Sequence, residues 1–287
     1  MTHEEYHAID AISASDLKDR DKGMIRSMAH WKWHKDNPTD TETEAQILGQ
    51  AVHMKLLQPH LYDNKYAVWN DTQLIDDLQS GKIADAKGKS KKYVKPKASD
   101  IYKAEKKKHE DANPGKQTVS QEFSDIVTGI ANAAMQNPHF AEWLNDPQSL
   151  KEHALFWKDG DTDMKAMIDL ICGHVIVDVK TTNDARYDSF MREAHRYGYF
   201  LQGAVYVSAL ESTGIENPTF ILLACEKEPP YLCQPFVIGR DTIDYQKTRI
   251  DRLLREYEAC VRSGIWSGYK TDPVMLEMPI YALSDEL

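Results

Sequence analysis

Three short apolar segments in the second half of the chain are rich in β-prone residues and predict neighbouring strands. They cover residues 153–158, 164–171 and 174–180. Asp159-Gly160-Asp161 and Cys172-Gly173 lie between them and supply residues typical of tight turns. The pattern therefore predicts a three-stranded meander.

Helical spacing of apolar residues surrounds this meander. The predicted helices cover residues 120–135, 138–144, 187–210 and 241–262, and further strands are predicted at 219–225 and 232–238. We interpret the order as one domain over residues 1–287. It divides into a helical lead-in (1–145), an α/β core (146–265) and a C-terminal tail (266–287).

Helix-start signals mark the lead-in. Ser13 or Ser15 can cap a first turn, and residues 24–35 follow a helical pattern. Thr41 with Glu44 predicts a capping box at the start of the next helix.

Composition and charge limit the class of protein. The 287 residues are 41% hydrophobic, and no run of about 18 apolar residues or secretory signal is present, so we expect a cytoplasmic protein without membrane contact. The formal charge of −10 disfavours a protein that coats nucleic acid indiscriminately.

Residues 81–108, however, hold eleven lysines against three acids and form a predicted excursion from the fold. Such a tract is either a solvated surface or a phosphate-steering arm.

The four cysteines form no CxxC pair, so neither a disulfide framework nor a zinc ribbon is predicted. We expect reduced thiols, although Cys225 and Cys233 could face each other on neighbouring strands.

Two acids and a lysine fall within the predicted meander. Asp178 and Lys180 share one strand face because side chains alternate, and a hairpin at Cys172-Gly173 brings Asp169 beside them. Carboxylates within apolar strands need a partner, and Mg²⁺ prefers oxygen ligands of this kind. The alternative is an ordinary Asp178–Lys180 ion pair with Asp169 at a strand end; the upstream acid in hairpin register favours the metal site.

Four motifs then follow one another in a familiar order. They are Gly49-Gln-Ala-Val-His53, Asp169, Asp178-Val-Lys180 and Gln202-Gly-Ala-Val-Tyr206, preceded by Ile12-Ser-Ala-Ser15. This arrangement resembles the PDDEXK nuclease superfamily in its RecB-like branch, and it covers nearly the whole chain. The resemblance implies a restriction-endonuclease-like α/β core with a central mixed β-sheet flanked by helices.

The resemblance also implies roles for site residues. His53, Asp169, Asp178 and the Val179 carbonyl would hold one or two Mg²⁺ or Mn²⁺ ions, and Lys180 would position the attacking water. Two sets complete the expected site: Glu152 as an additional acid, and Gln202 with Tyr206 as contacts to the DNA backbone.

Within the branch the chain is most similar to RecE-type exonuclease domains of phages and prophages. That similarity implies digestion of linear double-stranded DNA from its ends, 5′ to 3′, a ring-shaped homo-oligomer, and a RecT-type single-strand annealing partner. Some relatives carry an iron-sulfur cluster, but here all four cysteines lie at or after Cys172, so no cluster is expected. Two alternatives remain open: a catalytically silent DNA-binding or assembly module, and an endonuclease on the same core.

Overall fold

Short helices and one small strand pair form the first half of the computed structural model, which describes residues 3–18, 23–38, 43–83 and 91–278. The helices are α1 (His3–Ala8), α2 (Ala14–Lys18), α3 (Met28–Asp36), α4 (Glu44–Leu57), α5 (Pro59–Lys65), α6 (Thr72–Ser80), α7 (Asp100–Ala112), α8 (Gln121–Gln136) and α9 (Pro138–Asn145). Strands β1 (Tyr66–Trp69) and β2 (Gln117–Ser120) pair in parallel, and neither was predicted.

A five-stranded mixed sheet follows. In spatial order its strands are β3 (Leu150–Asp159), β4 (Thr162–Cys172), β5 (Val175–Thr182), β6 (Thr219–Glu226) and β7 (Cys233–Val237). All neighbours are antiparallel except β5 and β6, which are parallel and are connected through α10 (Tyr187–Arg196) and α11 (Tyr199–Glu211). Helix α12 (Arg240–Ser263) follows β7. The predicted meander, and the α/β class with a central mixed sheet flanked by helices, are confirmed.

Strands β4 and β5 separate soon after their turn. They pair only from Leu170↔Val177 to Cys172↔Val175, so the earlier part of β4 has an open edge toward β5. The N-terminal segment occupies that edge: Ile12 N donates to Asp163 O at 2.8 Å, and Lys165 N donates to Ile12 O at 2.9 Å. The gap between the two strands is where acidic side chains enter the sheet.

Two apolar clusters cover the faces of the sheet. Val177 and Val179 are fully buried in one cluster, which also contains residues of α4, α8 and α9. Ile176 and Leu222 belong to the other, together with residues of α2, α10, α11 and α12. The alternation predicted for β5 is thus observed, and burial of these side chains drives the packing of helices on both faces.

Two predicted helices differ from the structure. The helix predicted over 187–210 is broken at Tyr197-Gly198, where Gly198 adopts a left-handed φ of 69° that a regular helix does not allow. The helix predicted from residue 24 begins at Met28, with Ser27 as its N-cap.

The capping box at the start of α4 is formed by different residues from those predicted. Thr43 and Gln46 cap each other reciprocally, whereas Thr41 lies outside the described residues. At α2, Ser13 is the capping residue, since its hydroxyl accepts weakly from Asp16 N at 3.5 Å while Asp16 Oδ2 accepts from Ser13 N at 2.8 Å.

The lysine-rich excursion is in part a helix. Residues 84–90 lie outside the described part of the chain, but α7 carries the last four lysines of the tract and continues past it to Ala112. Cys225 and Cys233 do face each other, as register partners on β6 and β7. Among the described residues, none of the helices combines the length and apolar content needed to cross a membrane.

Candidate active site

Strand β5 carries an acid and a lysine on one face. Lys180 Nζ lies 2.5 Å from Asp178 Oδ2, and the Asp178 carboxylate is completely buried. Burial alone would lower the pKa of Lys180, but Asp178 and Asp169 outweigh it, so the pKa is raised. The ammonium therefore stays protonated at neutral pH.

Asp169 enters from β4 at the point where the two strands separate. Its Oδ2 accepts a 2.8 Å hydrogen bond from Val179 N, so a side chain replaces the ladder bond that β4 would otherwise make. Burial raises the pKa of Asp169, because a carboxylate loses hydration inside the protein. The predicted hairpin register thus places Asp169 beside β5.

His53 reaches the same place from α4. Its Nε2 donates to Val179 O at 2.7 Å, since a carbonyl can only accept, and its Nδ1 lies 3.4 Å from Asp169 Oδ2. Both the imidazole and the carbonyl predicted as ligands are present, but they contact each other. In this arrangement Nδ1 is the nitrogen available to a metal ion.

Gly49 lies one turn before His53 on α4, close to Thr181 of β5. A Cβ at Gly49 would be 3.8 Å from Thr181 Oγ1, an ordinary contact. The close approach therefore does not require glycine.

Glu152 completes an acidic group. It has a left-handed φ of 46°, a sparsely populated conformation for a residue with a side chain, and it interrupts the β3–β4 pairing opposite Asp169. Ligand atoms of His53, Glu152 and Asp169 all lie within 4.8 Å of one another. Burial, and then the neighbouring Asp169, raise the pKa of Glu152 to about 7.

The donor set fits a hard divalent cation. Two carboxylates and an imidazole converge, and both carboxyl groups bear raised pKa values that a bound cation would reverse. Asp178 stands outside this group of three, and its buried Oδ2 contacts the Lys180 ammonium.

Gln202 and Tyr206 face the meander from α11, as their spacing predicts. Gln202 Nε2 donates to Asp178 Oδ1 at 3.1 Å and to Tyr206 Oη at 2.7 Å, and both side chains are 7% exposed. Gln202 thus contacts Asp178. Their expected contact with the DNA backbone stays a prediction.

Two residues absent from the sequence prediction also reach the site. Lys18 Nζ donates to Gln202 Oε1 at 2.6 Å, and the Tyr199 ring lies beneath both Lys18 and Lys180. A lysine 184 positions from its partner has no local signal, and Tyr199 was hidden inside what was predicted as a continuous helix.

Comparison with known families decides the affiliation. Residues 13–272 match the family model described as a PDDEXK-like domain of unknown function (DUF3799). The chain belongs to this family. No curated protein matches the chain.

Among solved structures, the fold is similar to the crystal structure of a "Putative exonuclease" from Eubacterium rectale. The TM-score is 0.54 at 15% identity, over 100% of this chain and 99% of that one. This likeness shows that the two chains share a fold over nearly their whole lengths.

Proposed function

We propose that this protein is a divalent-metal-dependent deoxyribonuclease that digests linear double-stranded DNA from its ends. The convergence of His53, Glu152 and Asp169 beside the Asp178–Lys180 pair is the observation that carries the proposal. Membership of a PDDEXK-like family supports nuclease chemistry, and the name of the Eubacterium rectale protein supports an exonuclease.

The site residues would have separate roles in metal binding and in hydrogen bonding to the substrate. His53, Glu152 and Asp169, with Asp178 adjacent, would hold Mg²⁺ or Mn²⁺, and such an ion lowers the pKa of water and offsets phosphate charge. Lys180, protonated through its raised pKa, donates a hydrogen bond to water or a phosphate oxygen rather than accepting a proton. Asp178 holds that ammonium in place, and Gln202 holds Asp178.

We extend the proposal to a RecE-type activity. In that role the enzyme would work 5′ to 3′, form a ring around DNA, and supply single strands to a RecT-type annealing protein for recombination. A closed ring would keep an acidic protein on its substrate. Light scattering of the purified protein tests the ring, and a monomer would reject it.

The test compares linear DNA with a covalently closed circle of the same sequence, each with Mg²⁺ and with EDTA. We expect Mg²⁺-dependent loss of the linear form only, and no cleavage by Asp178→Asn. Cleavage of the circle would instead indicate an endonuclease, and binding without cleavage of either form would indicate a silent DNA-binding module. Labels at the 5′ and 3′ ends report polarity.

A further inference from the structure

Lys18 connects the N-terminal segment to the buried acid of the site. It is the last residue of α2 and is partly buried, and its Nζ donates to Gln202 Oε1 at 2.6 Å. Gln202 in turn donates to Asp178 Oδ1. A row of three polar groups therefore runs from α2 through α11 to β5.

The chemistry of the row fixes its direction. An ammonium can only donate and an ionised carboxylate can only accept, whereas an amide offers one oxygen and one NH₂ group. Lys18 therefore selects the oxygen of the Gln202 amide and Asp178 selects the nitrogen. Because Gln202 is buried, loss of Lys18 would take the side-chain donor from its Oε1, whereas its Nε2 also donates to Tyr206 Oη and would keep that partner if Asp178 were lost.

The surroundings of Lys18 hold it in this place. A Cβ at Gly198 would come within 2.9 Å of Lys18 Cβ, so the glycine permits close packing of the lysine stem. The Lys18 ammonium lies 5.5 Å from the centroid of the Tyr199 ring, and the Lys180 ammonium lies 5.0 Å from the same centroid. Such distances are typical of cation–π contacts.

We propose that Lys18 is a positioning residue of the nuclease, which orients the Gln202 amide and through it the Asp178 carboxylate that holds Lys180. The role in catalysis rests on the proposed function. The orientation of the amide rests only on contacts within the protein, and the two can be tested separately.

A double-mutant cycle in DNA hydrolysis tests the catalytic role. Lys18→Met keeps the alkyl stem and should lower kcat about tenfold with KM for DNA changed less than about threefold, while Lys18→Arg should recover most of kcat. In a Gln202→Leu background, Lys18→Met should add nothing, because its route to Asp178 is already gone. Lys158→Met, at an exposed ion pair on β3, is the matched control and should behave as wild type.

Three results would overturn the proposal. The effects of Lys18→Met and Gln202→Leu could multiply, Lys18→Met could act mainly on KM as expected of a direct phosphate contact, or Lys18→Arg could be as impaired as Lys18→Met.

Urea unfolding of wild type, Lys18→Met, Gln202→Leu and the double variant tests the contact without any substrate. Coupled losses of unfolding free energy between the two positions are expected, and additive losses would refute the amide-orienting role. If the wild type cleaves no DNA, the proposed function fails while this cycle still decides whether Lys18 and Gln202 act together.

Discussion

Two lysines on the central sheet, Lys165 buried and Lys180 partly buried, occupy opposite electrostatic environments. Lys165 on β4 donates to the carbonyls of Tyr6 and Ile9, at 3.1 and 2.6 Å, and lies 4.9 Å from the Tyr6 ring centroid. Lys180 on β5 lies over an aromatic ring in the same way but contacts the Asp178 carboxylate.

Their pKa values move in opposite directions as a result. Burial, and then the nearby Lys35, lower the pKa of Lys165, whereas carboxylates overcome burial and raise that of Lys180. Lys165 contacts backbone carbonyls and holds the N-terminal segment against the sheet. Lys180 contacts a carboxylate and is a candidate catalytic residue. The partners, rather than burial or residue type, separate the two.

Loss of the charge at Lys180 should have the largest effect. Lys180→Met should lower kcat by about 1000-fold, because the transition-state charge loses a preorganised donor. Lys165→Met removes the charge of the comparison lysine on β4 and should leave kcat per folded molecule unchanged. Steady-state hydrolysis of linear DNA checks both, and equal activity of the two variants would contradict the division.

Loss of the charge at Lys165 should act on stability instead. Lys165→Met removes the side-chain donor to the carbonyls of Tyr6 and Ile9, which keep only their backbone donors, and this should cost about 1–3 kcal/mol of unfolding free energy. Urea denaturation measures it. A variant as stable as wild type would show that Lys165 does not stabilise the packing of the N-terminal segment.

The acids around Lys180 should give the protein a particular pH dependence when EDTA is present. Glu152 has a folded pKa near 7, above its ordinary value of 4.5, so its contribution to stability is present below pH 4.5 and is lost as pH rises through 7. Relative to Glu152→Gln, wild type should lose about 3 kcal/mol between pH 4.5 and pH 8. Thermal unfolding across this range measures the difference. A constant difference would show that Glu152 is not perturbed, and Mg²⁺ should stabilise wild type more at pH 8 than at pH 5.

Two glycines beside the site should respond differently to alanine. Gly198→Ala places a Cβ against Lys18 at a positive φ and should cost about 1–2 kcal/mol of unfolding free energy. Gly49→Ala has room within α4 and should gain up to about 1 kcal/mol through helix propensity. Urea denaturation of both variants tests this, and similar values would contradict the packing described.

The sequence predicts the site best where local pattern determines position. Alternation along β5 places Asp178 with Lys180, and the two-residue turn sets the register that brings in Asp169. Spacing of four residues places Gln202 and Tyr206 on one helix face, although it does not reveal which atoms they meet.

Features that depend on distant pairing or on backbone exceptions escape such patterns. The helical periodicity continues through Tyr197-Gly198 although the backbone turns there, and β1 and β2 are four residues each with partners far apart in the chain. The left-handed conformation of Glu152 interrupts the pairing of β3 with β4, and no residue pattern marks it.

The backbone N–H and C=O of Val179 on β5 connect that strand to β4 and to α4. Its N–H bonds a carboxylate from β4 and its C=O bonds an imidazole from α4, so two side chains occupy hydrogen-bonding positions usually filled by backbone. Deuterium uptake at this single amide should consequently report whether the Asp169 carboxylate is seated, before any ion or nucleic acid is added.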